Sequence, residues 1–310
     1  MANFTNQDVM KLREQTGVGM MDCKKALVET DGNFEEAIKY LREKGMASAA
    51  KKASRVAAEG LVKCAVSADK KTAVAVEVNC ETDFVARSEQ FVALVDKIAA
   101  ILLTAKATTV EEVLEVACPE CGKTVNVLIA EATAAIGEKI SLRRFTKYEL
   151  GGKSGLISSY IHMGGKIGVL AEIESKAKQE DLMELAFNIC MQIAASKPQV
   201  VGIADVDASQ LEAEKEILTV QARNEGKPEA IIGKMVEGRI HKYYKEVCLL
   251  EQEYVRDSAL SVKQVIAETA KHVGAEIAVT RFVRYEMGEG IEKRVDNFVD
   301  EIAEQLKSIK

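Results

Sequence analysis

The sequence predicts an α+β fold: a small N-terminal helical module, a duplicated α+β core and an inserted antiparallel helical hairpin. Three observations carry this prediction. A shift of 95 positions lays Glu59-Gly60-Leu61-Val62 on Ser154-Gly155-Leu156-Ile157 and Ala73-Val74-Ala75-Val76-Glu77-Val78 on Gly168-Val169-Leu170-Ala171-Glu172-Ile173, with no gap. A shift of 137 lays residues 137–149 on residues 274–286 with six of thirteen positions identical. The first 45 residues carry short apolar patterns at helical spacing, punctuated by Gly17 and Gly32.

Residues 1–45 read as three helices. Thr5 offers a hydroxyl cap with Asp8 three residues on, a variant of the capping box. Val9, Leu12 and Phe4 line one face of the first helix, and Gly17 stops it. The second runs from about Met21 to Glu29 with Cys23, Ala26 and Leu27 inward, and Asp31-Gly32 closes it. The third starts at Asn33, buries Phe34, Ala37, Ile38 and Leu41, and ends at Gly45. Three helices in so short a span resemble the ubiquitin-associated (UBA-like) bundle, a module that binds through a loop and a helix face. Residues 46–58 are alanine-rich and basic, with Lys51, Lys52 and Arg55 and no acid until Glu59. They read as a solvated linker helix, or else as a contact for an acidic partner.

Residues 59–150 form the first core module, and residues 151–198 with 246–290 form the second. Each has two β-rich segments, a helix and a closing edge-type strand with period-two alternation. The shift grows from 95 to 137, so the second module holds 42 additional residues between its helix and its last strand. Residues 199–245 supply them as a helical hairpin of the dimerisation type. Leu211, Ile217, Leu218 and Val220 mark one arm, and Ile231, Met235, Val236, Ile240 and Tyr243 mark the other. Asn224-Glu225-Gly226-Lys227-Pro228 breaks them. Such a hairpin cannot bury both its faces alone, so it needs its own core, a partner or a second copy of the chain. Residues 291–310 read as a charged amphipathic helix.

Composition narrows the function classes. With 47% apolar and 29% charged residues in 310, this is an ordinary soluble globular composition. No apolar run approaches the roughly 20 residues of a membrane span. The N-terminus lacks the regions of a signal peptide, so the expected location is the cytoplasm. A net charge of -6 argues against nucleic acid as the main partner. Seven scattered cysteines fit reduced thiols better than a disulfide framework.

No catalytic constellation emerges. His162, His241 and His272 are dispersed, and no nucleophile elbow, phosphate loop or zinc-protease motif is present. Neither a cofactor nor a metal is expected. Cys118-Pro119-Glu120-Cys121 has metal-ligand spacing, but the remaining cysteines form no second pair, so it reads as a solvated turn with two incidental thiols. Gly151-Gly152-Lys153 and Gly164-Gly165-Lys166 read as hairpin turns. Met20-Met21, beside Arg13, sits in an interhelical loop, and two consecutive methionines cannot both face one core. At least one is therefore expected on an adaptable binding surface. At Thr82-Asp83-Phe84-Val85 the duplicated modules diverge: the second copy has the bland turn Ala177-Lys178-Gln179, and the first puts a phenyl ring there. Two readings stay open for Phe84, a staple folded back on its own helix or an outward-facing ring.

Two long motifs carry a family resemblance. Leu12-Arg13-Glu14-Gln15-Thr16-Gly17-Val18-Gly19-Met20-Met21-Asp22-Cys23-Lys24-Lys25-Ala26-Leu27 and Glu77-Val78-Asn79-Cys80-Glu81-Thr82-Asp83-Phe84-Val85-Ala86 resemble the two signatures of the bacterial elongation factor Ts family. The resemblance runs in order through Ala194-Ala195-Ser196-Lys197-Pro198 and Gly288-Glu289-Gly290-Ile291. It implies a guanine-nucleotide exchange factor with no catalytic residues of its own, whose partner is elongation factor Tu. It implies that Arg13, Met20 and Met21 pack on a helix of that GTPase, and that Asp83-Phe84, flanked by Thr82 and Val85, intrude near its Mg²⁺ site. Ile136 and Gly137 support that contact, and His162 and Val255 touch a further domain. Arg256 replaces an apolar residue found in some relatives, and the segment at Cys118 is not shared across the family.

Overall fold

The computed structural model of the chain describes residues 3–292. It is a mixed α+β structure with small antiparallel sheets. Helices α1 (Asn6–Thr16), α2 (Met20–Glu29) and α3 (Phe34–Lys52) come first. Thr5 and Asp8 close a reciprocal capping box, and Gly17, at φ 68°, ends α1. Val9, Leu12, Cys23, Ala26, Leu27, Ala37 and Leu41 form the core of the three helices.

Two expectations fail here. The third helix does not end at Gly45, and residues 46–58 are not a separate linker helix. Helix α3 continues unbroken to Lys52. Gly45 is buried in it, where a β-carbon would stand 3.4 Å from the β-carbon of Ala134. The residue thus lets two helices approach closely, and that packing offsets the cost of about 1 kcal/mol that glycine carries inside a helix. Nor is the basic segment merely solvated: Arg55 pairs with Glu81 at 3.2 Å, and Lys52 Nζ donates to the Thr133 carbonyl at 3.4 Å.

Strands β1 (Glu59–Val66) and β2 (Thr72–Cys80) follow. Then come helices α4 (Asp83–Ala86), α5 (Glu89–Thr104), α6 (Val110–Glu115) and α7 (Val125–Ile136), and strand β3 (Ser141–Glu149). The sheet order is β1-β2-β3, all antiparallel, so β3 is an edge. A second sheet has the order β4-β5-β8, from β4 (Gly155–His162), β5 (Ile167–Ser175) and β8 (Ile277–Glu286). Between β5 and β8 lie α8 (Gln179–Ser196), α9 (Ala208–Asn224), α10 (Glu229–Val247), a ribbon of β6 (Glu253–Tyr254) and β7 (Asp257–Ser261), and α11 (Val262–Val273). Helices α6, α7 and α11 are additional to the elements read from the sequence. The turn at 163–166 does join the hairpin β4–β5. Gly151-Gly152-Lys153 instead links two different sheets, so it is a crossover and not a hairpin turn.

Each sheet packs helices on one face, α5 and α7 on the first, α8 and α11 on the second. The other faces meet each other through Val62, Ala73, Ala75, Tyr148, Leu150, Ile157, Leu170 and Tyr285. The central strand β2 is therefore buried on both sides, which explains its almost uninterrupted apolar run. The contact between the sheets is reciprocal. The Arg144 guanidinium stacks 4.2 Å from the Tyr285 ring, and Arg281 stacks 4.2 Å from the Tyr148 ring. Both sheets shift register at matching places, after Glu77 in β2 and after Glu172 in β5.

Gly60, second in β1, and Gly155, first in β4, take φ 145° and 140°, where only glycine is at ease. A β-carbon at either would run into a carbonyl oxygen of the neighbouring strand, that of Val78 or Ile173. Gly60→Ala and Gly155→Ala are each expected to cost more than about 1 kcal/mol. Urea unfolding checks this, and unchanged midpoints for both would contradict it.

The hairpin of α9 and α10 closes on Leu218, Ala222, Ile232, Val236 and Ile240. Its second arm runs to Val247, two residues past the expected boundary. Ile217, Val220 and Ile231 lie exposed. The terminal helix expected over 291–310 falls, from residue 293 on, outside the described residues. No described helix is long and apolar enough to cross a membrane.

Candidate functional site

Strand β2 ends at Cys80, and the chain turns into the single-turn helix α4. Thr82 is its N-cap, accepting from Val85 N at 3.3 Å. In one turn of four residues, two face the protein: Ala86 is buried and Val85 packs against the core. Asp83 and Phe84 are left to face solvent. Asp83 pairs with Arg87 at 3.2 Å. Phe84 is 84% exposed, which excludes the reading in which its ring folds back as a staple.

The turn that presents this ring is held from the α7–β3 connection. Glu138 accepts from Glu81 N at 3.1 Å and Thr82 N at 3.0 Å, and the Thr82 hydroxyl donates to it at 2.7 Å. In return, Glu81 accepts from Lys139 N at 2.6 Å and from Arg55. Ser88 caps α5 and donates to the Val85 carbonyl at 2.8 Å. Two glutamates therefore lock two loops against each other. This brings Thr82, Asp83, Phe84 and Val85 together with Ile136 and Gly137, which end α7 immediately before Glu138. Gly137, at φ 90°, supplies the left-handed cap that turns the chain toward Glu138. An exposed apolar ring on a fixed backbone is suited to insertion into another surface, because little ordering cost remains at binding. Sequence reasoning misses Glu138. Its signal, an acid just past a helix-ending glycine, is too common to stand out without the fold.

The other expected residues lie apart. Arg13 is exposed on the last turn of α1. Met20 and Met21 occupy the first turn of α2 and not a loop, since Gly19 takes the N-cap position. Both are exposed, at 39% and 75%. His162 ends β4, on the second sheet, and is exposed. Its Nδ1 lies 2.9 Å from the Tyr160 hydroxyl, and Tyr160 meets Phe187 edge-on at 5.5 Å. Exposed Met183 lies one turn before Phe187 on α8. Val255 is exposed in the β6–β7 turn, where its N–H donates to Gln192 of α8 at 2.8 Å. Arg256, beside it, donates to Asn188 of α8 at 3.0 Å. Helix α8 thus relates His162 to Val255, and it adds Phe187 and Met183 to the same region. Those two lie off the buried stripe of α8, which is the signal that could have found them.

A family model described as elongation factor TS matches residues 81–289, a span that includes the Phe84 turn, strand β3 of the first sheet, the whole second sheet and the hairpin. A curated elongation factor Ts of Clostridium perfringens (strain SM101 / Type A) is 52% identical over 300 residues, covering 97% of this chain and 98% of the relative. The chain belongs to the elongation factor Ts family. Its likeness to other members is similar in extent: the elongation factor Ts of Clostridioides difficile (strain 630) is 49% identical over 307 residues, covering 99% and 100%. That of Clostridium acetobutylicum is 49% identical over 302 residues. Membership in the elongation factor Ts family assigns the protein a role in translation elongation. The N-terminal bundle, outside the family-model match, lies within the span of the full-length relatives.

Proposed function

We propose that this protein is a cytoplasmic guanine-nucleotide exchange factor that binds elongation factor Tu and promotes release of GDP. The observation that carries the reading is Phe84, an exposed phenyl ring on a turn locked by Glu81 and Glu138. In this mechanism the ring enters the GTPase near its Mg²⁺ site, with Asp83 beside it and Ile136-Gly137 bracing the turn. Displacing the metal removes the charge that neutralises the nucleotide phosphates, so GDP leaves faster. The factor binds the nucleotide-free GTPase more tightly than the nucleotide-bound form, and by linkage it weakens nucleotide by the same ratio. It needs no acid, base or nucleophile of its own. Arg13, Met20 and Met21 hold a helix of the partner, and the region of His162 and Val255 holds another of its domains. Exposed Ile217, Val220 and Ile231 give the hairpin an apolar surface for a partner or a second copy of the chain. The same reading takes the two sheets as copies of one module. The reciprocal Arg–Tyr stacks and the paired register shifts support it.

The experiment is release of a fluorescent GDP from elongation factor Tu, followed by stopped flow after adding the protein in catalytic amount. Release is expected to accelerate without a change in the final occupancy, and no acceleration would reject the proposal. Met20→Ala with Met21→Ala is expected to weaken association about tenfold, at roughly 1 kcal/mol or less for each truncated side chain. The release rate at saturation should stay as it was. A lower saturating rate with unchanged affinity would move these residues from docking to the exchange step.

A further inference from the structure

Cys118 and Cys121 take no part in the surfaces above, yet the fold builds them into a closed loop between α6 and α7. An antiparallel bridge between Ala117 and Thr124 closes its base. Cys118 N donates to Lys123 O at 2.7 Å, and Val125 N donates to Val116 O at 3.0 Å. Within the loop, Gly122 N donates to Cys118 O at 2.8 Å, and Gly122 takes φ 67°. Residues 118–122 therefore form one tight turn, closed by an i to i+4 bond, with the cysteines three positions apart in it. Residues three apart in such a turn lie within about 7 Å, Cα to Cα, and a disulfide spans about 4.4–6.8 Å.

The two thiols differ in access. The sequence suggests a solvated turn, but Cys118 is buried in the first core cluster, and only Cys121 is exposed. Burial works to raise the Cys118 thiol pKa. Hydrogen bonds to its sulfur from the Cys121 thiol and from the backbone at Cys121 and Glu120, together with the charge of Lys97, bring it below its ordinary value. Lys97 is kept near the turn by its pairing with Glu120 at 3.8 Å. A metal site would need more ligands. Among the described residues no group of three or more His, Cys, Asp or Glu is placed to hold an ion, and structural zinc takes four.

We infer that Cys118 and Cys121 are a reversible dithiol–disulfide site that low-molecular-weight disulfides oxidise through Cys121. The Cys121 thiolate attacks one sulfur of the small disulfide, forms a mixed disulfide and releases one thiol. The Cys118 thiolate then attacks Cys121 Sγ, closes the protein disulfide and releases the second thiol. Two protein thiols lose two electrons and two protons, and the small disulfide gains them. A buried, thiolate-stabilised partner next to an exposed one makes the second step local, so the mixed disulfide is short-lived.

The test uses the full-length protein equilibrated in glutathione buffers from reducing to oxidising, acid-quenched, alkylated and mapped by mass spectrometry. The expected product is a peptide with Cys118 bonded to Cys121 and no glutathione on either. In Cys121→Ser that peptide is lost and Cys118 stays unmodified. In Cys118→Ser glutathione accumulates on Cys121. Cys118 is buried and its variant can lose the fold, so Cys121→Ser decides by itself: glutathionylation of its Cys118 as fast as the wild-type pair oxidises overturns the proposal. Two free thiols across the oxidising range also overturn it, as does zinc retained by both cysteines in the reduced protein.

Discussion

Phe84→Ala is expected to slow stimulated GDP release from elongation factor Tu by about 30-fold and to leave the unfolding midpoint of the protein unchanged. The ring is 84% exposed, so its truncation removes little that the folded state buries. Surface changes of this kind stay within about 0.5 kcal/mol. The hydrogen bonds that set the turn come from Glu138, Glu81, Thr82 and Ser88, none of which depends on the phenyl group. In the proposed complex the same ring would be a central aromatic anchor. Such anchors carry about 2 kcal/mol, a factor of about 30 in a rate if the contact is made in the displacement step. Stopped-flow release at saturating factor reads the rate, and urea unfolding reads the fold. A variant with the wild-type saturating rate would remove Phe84 from the mechanism. A variant that slows release only by unfolding would assign the ring to packing.

Glu77→Gln is expected to act in the opposite way, on stability first. Glu77 is fully buried in β2 and is the shared acceptor of one charged network. Arg143 donates to it at 2.9 Å, Arg144 at 2.6 Å, Gly288 N at 2.8 Å and Asn79 at 3.2 Å. It thereby ties β2 to β3 and to the chain just past β8, and it steadies the Arg144 stack on Tyr285 across the two sheets. Removing one member of a buried ion pair costs about 3–5 kcal/mol, because its partners stay behind unpaired. Both arginines keep some access to water, so a loss near about 3 kcal/mol is expected. The check is the urea midpoint at unchanged slope. A loss under about 1 kcal/mol would show that the arginines simply rehydrate.

The same carboxylate gives a pH signature. Burial alone would raise its pKa. The hydrogen bonds from Gly288, Arg143 and Arg144 outweigh burial and hold it below the ordinary 4.5. A carboxyl depressed in the folded state contributes stability that is complete above its unfolded pKa. That contribution is lost as pH falls through the lower folded value. The stability gap between wild type and Glu77→Gln should therefore be full above about pH 5 and narrow in stronger acid.

How much was legible in the sequence follows from which signals are local. The Thr5–Asp8 capping box and the Gly17 stop are made by neighbours in the chain, and they can be read without a fold. The edge position of β3 and β8 shows in their alternation. Gly45 misled because its local meaning, a helix stop, lost to a tertiary one, a close crossing with α7. Helix α7 itself escaped because α3 and α5 cover it, leaving Val125–Ile136 almost uniformly apolar or small, with little period to detect. Gly19 reads as loop chemistry, which puts Met20 and Met21 in a loop, yet it serves as the N-cap of their helix.

By itself, the sequence determined the family, the mixed α+β class and the identity of the odd residue, Phe84, at a turn where the aligned segment 95 positions on is bland. Those are properties of residue order, and comparison of the chain with itself or with relatives exposes them. Only the tertiary structure decided where that ring points. Its direction depends on which neighbours the core takes, Val85 and Ala86. It also depends on a clamp between Glu81 and Glu138, residues 57 positions apart in the chain. The same holds for the buried charge at Glu77 and for the α8 surface that relates His162 to Val255. Contacts between residues distant in sequence leave no periodic mark, and packing alone selects them.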